Sequence, residues 1–145
     1  MKCIISIAIL ATAAIVIQAE DAIPPQADST PSFQDKIRPV AHKCNGDSKA
    51  SDDDVNAVVN REELKTQEAK CLQKCVYASI GAIKDGKIAS YEDGLKIYKK
   101  LYENDKDKLE NAEKAVKDCS KIAEENASKE ECELAAIIQE CFRKY

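Results

Sequence analysis

Six cysteines, Cys44, Cys71, Cys75, Cys119, Cys132 and Cys141, stand at intervals of 26, 3, 43, 12 and 8 residues, and they constrain this chain more than any other feature. A seventh, Cys3, lies in a leader with one basic residue (Lys2), an apolar run from Ile4 to Ile17, and a small residue at Ala19 where a signal peptidase can cut. The run falls short of the roughly 20 residues of a membrane span. Residues 1–19 therefore read as a signal peptide, and the protein as secreted and extracellular. In an oxidising fluid an even cysteine set forms disulfides rather than free buried thiols.

Geometry restricts how those disulfides pair. Cys132 and Cys141 are nine residues apart on one helix, roughly 13 Å at 1.5 Å per residue, and a disulfide spans at most about 7 Å between Cα atoms. Cys71 and Cys75 point the same way, one turn apart, and do not face each other. Excluding both pairs leaves about 10 of 15 connectivities. In each of these the helix carrying Cys71 and Cys75 is tied to two different places.

Everything else in the pattern is helical, and the expected fold is all-α: about six helices enclosing a hydrophobic cavity, stapled by three disulfides. Residues 20–32 carry Pro24, Pro25 and Pro31 among acids and hydroxyls and read as a flexible N-terminal arm. Residues 33–145 form the domain. Thr30 and Pro31 predict a first helix bearing Phe33, Ile37, Val40, Ala41 and Cys44, kinked or split at Pro39 and stopped at Asn45 and Gly46. Ser51 caps a second, with Asp52, Asp53 and Asp54 at the favourable end of its dipole and Val55, Val58 and Val59 on one face. A third carries Leu64, Cys71, Leu72, Cys75, Val76, Ser79 and Ile80. After a turn at Asp85 and Gly86, Ser90 caps a fourth with Tyr91, Leu95, Tyr98, Leu101 and Tyr102. The fifth carries Leu109, Ala112, Val116, Cys119, Ile122 and Ala123. Ser128 caps the sixth, with Cys132, Leu134, Ala135, Ile137, Ile138, Cys141 and Phe142. No segment reads as a strand.

Charge and composition exclude several functions. The net charge of −4 becomes more negative once Lys2 leaves with the leader, which argues against nucleic acid as a partner. The one histidine, His42, sits beside Lys43 on the first helix and reads as a surface residue. With the cysteines committed to disulfides, no metal or other cofactor is expected. A small secreted lipid-active enzyme of the phospholipase type needs a His-Asp pair and a glycine-rich calcium loop, and neither is present. A saposin-like membrane-active protein begins and ends with close cysteine pairs, which this chain lacks. Asn126-Ala127-Ser128 is a glycosylation sequon before the last helix.

The cysteine intervals, with a first in the high twenties, a fixed three, a long one near forty and a fixed eight, resemble those of the insect odorant-binding proteins, the pheromone-binding and general odorant-binding family. The resemblance spans Phe33 to Phe142. It implies disulfides between Cys44 and Cys75, Cys71 and Cys132, and Cys119 and Cys141. The interval of 43 is long for the family and predicts an extended loop around Glu103 to Lys108. The implied function is that of a secreted carrier, not an enzyme, which binds odorants, pheromones or other small hydrophobic molecules and delivers them, for example to a chemosensory receptor. The same fold also serves as a carrier or scavenger in saliva, venom or reproductive secretions. No stable membrane association is expected, and the protein is taken as a monomer or weak homodimer.

Stripes next to the cysteines nominate the cavity lining: Val59, Leu72, Val76, Leu95, Tyr98, Val116, Ile137, Ile138 and Phe142. Without tryptophan the wall is largely aliphatic. Tyr77, Tyr91, Tyr98, Tyr102 and Tyr145 supply the phenols, one of which can bond an oxygenated ligand. Four residues follow Cys141, too few for a C-terminal helix that enters the cavity at low pH, so pH control of binding is expected to be weak.

Overall fold

A computed structural model describes residues 31–145. The leader and the arm up to residue 30 lie outside the described residues. Six helices follow in order: α1 (Phe33–Ser48), α2 (Asp52–Asn60), α3 (Gln67–Ser79), α4 (Tyr91–Leu101), α5 (Lys106–Glu125) and α6 (Glu131–Phe142). Between α3 and α4 lies a small antiparallel hairpin, β1 (Ile83–Lys84) and β2 (Lys87–Ile88), in which Ile83 pairs with Ile88. Asp85 and Gly86 both take positive φ, +52° and +70°, as the tightest hairpin turns require. The turn was legible in the sequence. The two strands, of two residues each, were not.

Local chemistry sets the helix ends. Ser32, not Thr30, caps α1: its Oγ accepts the Asp35 N–H at 3.3 Å while the Asp35 carboxylate accepts the Ser32 N–H at 2.9 Å, a reciprocal capping box. Pro39 neither splits nor ends α1. It lies on the exposed face, where water can reach the Asp35 carbonyl that the proline leaves without a donor. Asn45 and Gly46 likewise do not stop the helix, which runs to Ser48 and closes on Lys49 in the left-handed conformation. Ser51 caps α2 as expected. The cap of α6 is Glu130, whose carboxylate accepts from the Cys132 and Glu133 N–H groups, not Ser128. Only Tyr102 to Asp105 separate α4 from α5, so no extended loop forms there. The hairpin, α4 and most of α5 take up the long cysteine interval.

The hydroxyl of Thr66 couples α2 to α3. It accepts the Ala69 N–H at 3.0 Å, capping α3, and donates to Asp54 Oδ1 in the first turn of α2 at 2.7 Å. That bond, with those from Ser51, holds the Asp54 carboxyl below its usual pKa.

Three disulfides join Cys44 to Cys75, Cys71 to Cys132 and Cys119 to Cys141, tying α1 to α3, α3 to α6 and α5 to α6. Around them lie three buried clusters. The largest gathers Ile37 and Ala41 of α1, Val55, Val58 and Val59 of α2, and Ala69, Leu72 and Val76 of α3. A second sets Tyr77 and Ile83 against Leu134, Ala135 and Ile138 of α6. The third holds Tyr98 and Tyr102 against Ala112, Ala115 and Val116 of α5. Gly94 allows α4 to lie close to α5, since a β-carbon there meets Val116 Cγ1 at 3.1 Å. Burying a side chain the size of Leu72 contributes about 1.5–3 kcal/mol.

Candidate ligand-binding site

The three clusters leave a space of about 70 Å³ between them, several times the roughly 10–15 Å³ that admits one water molecule. Every helix and the hairpin contribute to its wall. Phe33 and Ile37 come from α1, Val58 from α2, Val76 and Tyr77 from α3, and Ile83 and Ile88 from the hairpin. Ile97, Tyr98 and Leu101 come from α4, Val116 from α5, and Ile138 and Phe142 from α6. This wall is carbon almost throughout, so an apolar solute placed inside leaves water at a gain of about 25 cal/mol per Å² buried.

Of the nine residues nominated from sequence, Val76, Tyr98, Val116, Ile138 and Phe142 line this space, and Val59, Leu72, Leu95 and Ile137 do not. Val59 and Leu72 are fully buried but pack in the α1–α2–α3 cluster; it is the neighbouring Val58 that faces inward. Leu95 packs with the α4–α5 cluster. Ile137 opens onto a shallow outer cleft with Glu133 and Lys144. Successive residues on a helix point about 100° apart, and on α6 the inward arc takes in Ile138 and Gln139 and leaves Ile137 outside it. Of the phenols, Tyr77, Tyr98 and Tyr102 reach the cavity and Tyr91 and Tyr145 do not. The Tyr145 hydroxyl donates to Asp118 at 2.6 Å, fastening the chain end to α5.

Four polar lining residues escaped the sequence reading: Arg61, Gln73, Ser120 and Gln139. The two glutamines had a signal, because each occupies an inward position of an apolar stripe, between Ala69 and Val76 and between Ala135 and Phe142. Arg61 had none. It caps the C-terminus of α2 in the left-handed region, φ +58°, a conformation that favours glycine. Its guanidinium stands 5.5–5.8 Å from the ring centroids of Phe33, Tyr102 and Phe142. It also donates to the Tyr102 hydroxyl. Gln139 Nε2 donates to the Glu62 carbonyl at 2.6 Å, so α6 holds the backbone next to Arg61. Burial pushes the Tyr77 phenol up to about 12, and the nearby Arg61 charge opposes it. Tyr98 and Tyr102 are raised for the same reason. Arg61 Nη2, Tyr98 Oη and the side-chain oxygens of Gln73 and Gln139 are buried with no hydrogen-bond partner. Each such atom costs about 1–3 kcal/mol.

The sequon residue Asn126 caps α5 and donates from Nδ2 to the Ile122 carbonyl at 2.8 Å. That nitrogen is the atom a glycan would take. His42 is exposed on α1. Among the described residues no group of three or more His, Cys, Asp or Glu is placed to hold a metal ion, and no helix is long and apolar enough to cross a membrane.

Six helices laced by three disulfides around an apolar cavity define a class of small helical binding protein. The model of the PBP/GOBP family matches residues 26–145. The chain belongs to that family, and its three disulfides fit the six-cysteine subclass. Among solved structures it is similar to a pheromone-binding protein of the cockroach Leucophaea maderae, crystallised in complex with the fluorescent reporter 1-anilinonaphthalene-8-sulfonic acid. Their TM-score is 0.70 at 31% identity, over 82% of this chain and 99% of that one. General odorant-binding protein 28a of Drosophila melanogaster is 29% identical over 108 residues, 74% of this chain and 73% of that protein. General odorant-binding protein 19d of the same fly is 23% identical over 109 residues, 75% of this chain and 71% of that protein.

Proposed function

We propose that the protein is a secreted carrier, which takes a small hydrophobic molecule into the cavity, shields it from water and releases it chemically unchanged, for example at a chemosensory receptor. The observation that carries this reading is the apolar cavity enclosed by disulfide-linked helices. The anilinonaphthalene reporter held by the cockroach protein is a ligand of the kind such a cavity suits. Capture without catalysis is supported by the lining itself, which contains no histidine, carboxylate or free thiol. No cofactor enters the reading.

Displacement of a fluorescent apolar probe from the oxidised protein tests it. Micromolar probe binding that volatile and fatty compounds reverse, and that disappears on reduction of the disulfides, is the expected result. A folded, fully oxidised sample that binds neither probe nor competitors overturns the proposal, and recovery of a chemically altered ligand shows an enzyme instead.

A further inference from the structure

Three of the cavity's four unpartnered polar atoms belong to neighbouring residues, Arg61, Tyr98 and Gln139. Tyr98 packs in tilted contact with Tyr102 at 4.6 Å and Phe142 at 5.6 Å between ring centroids, the same two rings that the Arg61 guanidinium approaches. Gln139 lies one turn before Phe142 on α6 and holds the carbonyl of Glu62 beside Arg61. Gln73, Tyr98 and Gln139 are 2–4% exposed, so bulk water does not satisfy them.

Arg61 gives this part of the cavity its sign. Six ion pairs form among the described residues and none includes it. Its one hydrogen bond to a side chain is to the neutral Tyr102 hydroxyl, and its Nη2 is buried and free. Arg61 is half-buried, between this part of the cavity and an outer cleft lined by Glu103, Asp105 and Asp107, and a ligand that brings an anion to its buried Nη2 supplies the partner that none of those carboxylates gives it. A guanidinium offers N–H donors in a planar fork matched to a carboxylate, and the Tyr98 hydroxyl adds another donor. An alcohol or ester can accept one of these bonds but leaves the charge uncompensated.

We infer that the cavity selects an amphiphile with an apolar chain and one carboxylate, the carboxylate held by Arg61 and Tyr98 and the chain lying among Val76, Ile83, Ile97 and Val116. The side-chain oxygens of Gln73 and Gln139 accept only, and so leave a place for a ligand hydroxyl or a bridging water. The inference deepens the carrier reading and rests on it.

Three ligands of one chain length separate the two. Decanoate, decanol and methyl decanoate are titrated near neutral pH against the neutral probe N-phenyl-1-naphthylamine bound to the oxidised protein. Decanoate is expected to displace the probe at a concentration roughly ten- to a hundredfold lower than the ester, the range of a hydrogen bond to a charged group. Arg61→Met is expected to abolish the difference between decanoate and the ester, and its helical circular dichroism, unchanged from the parent protein, shows that the variant is folded. Tyr98→Phe removes a buried hydroxyl without disturbing the ring and weakens decanoate alone. Equal affinities for all three ligands overturn the inference and leave the carrier intact. A decanoate preference that survives Arg61→Met places the carboxylate elsewhere and overturns it too. If neither probe nor ligand binds, both readings fall.

Discussion

Helices α3 and α4 face each other across the cavity and are held in place by different means. Two disulfides leave α3, one to α1 and one to α6, and five of its residues are buried, Ala69, Leu72, Gln73, Val76 and Tyr77. No disulfide reaches α4 or the hairpin before it, and Tyr98 is the one buried residue of α4. Ile97 and Leu101, which also line the cavity, are half-buried. The cavity thus has one wall fixed by covalent bonds and dense packing, and one held by a few side chains. Cross-links placed where packing is already good leave the opposite wall free to adjust to what is inside.

Breaking the fixed wall has the largest effect. The Cys71–Cys132 disulfide closes 61 residues and Cys119–Cys141 closes 22, for which chain entropy gives about 4 and 3 kcal/mol. Replacing the first pair by serine is expected to lower stability in urea more than replacing the second. Equal losses deny α3 its special place.

Side-chain truncation compares the two walls directly. Leu72→Ala, at a site with no exposed surface, is expected to cost about 3 kcal/mol. Ile97→Ala on α4 is expected to cost about 1 kcal/mol, because its side chain already borders open space. Denaturant midpoints measure both, and an Ile97→Ala cost as large as that of Leu72→Ala shows α4 to be packed as firmly as α3.

A smaller effect comes from base. An exposed phenol ionises near 10, whereas Tyr77 in α3 holds its proton up to about 12. Its folded pKa is raised, so the stability it contributes is complete below pH 10 and falls as pH rises from 10 to about 12. The loss is on the order of 2 kcal/mol. Phenolate absorbance and helical circular dichroism followed together are expected to change in that window. Tyr77→Phe is expected to remove part of the pH dependence, and an unaltered base transition assigns it to Tyr98 and Tyr102 instead.

Much of this fold could be read from the sequence because its strongest signals are local. Cysteine spacing and apolar stripes located α2 to α6, and Ser51 marked a true cap. The misplaced ends of α1 have local causes of another kind: a capping box completed by an aspartate at Ser32, a proline tolerated because it faces water, and a left-handed lysine where glycine is the usual mark. The cavity was harder. Which of two adjacent apolar residues points inward depends on how a helix is rotated about its axis, and that is decided by its neighbours, as with Val58 against Val59 and Ile138 against Ile137. Arg61 lay beyond reach, since it enters the cavity from a helix end through backbone geometry that the pattern of apolar residues does not encode.

The arrangement of the disulfides also bears on survival in a fluid that contains proteases. Between Cys75 and Cys119 the chain runs through the hairpin, α4 and most of α5 without a cross-link of its own, yet both flanks are joined through α6. A single cut anywhere in that stretch therefore releases no fragment. The nicked molecule gains the mass of one water, migrates as one species until reductant is added, and keeps its fixed wall covalently whole.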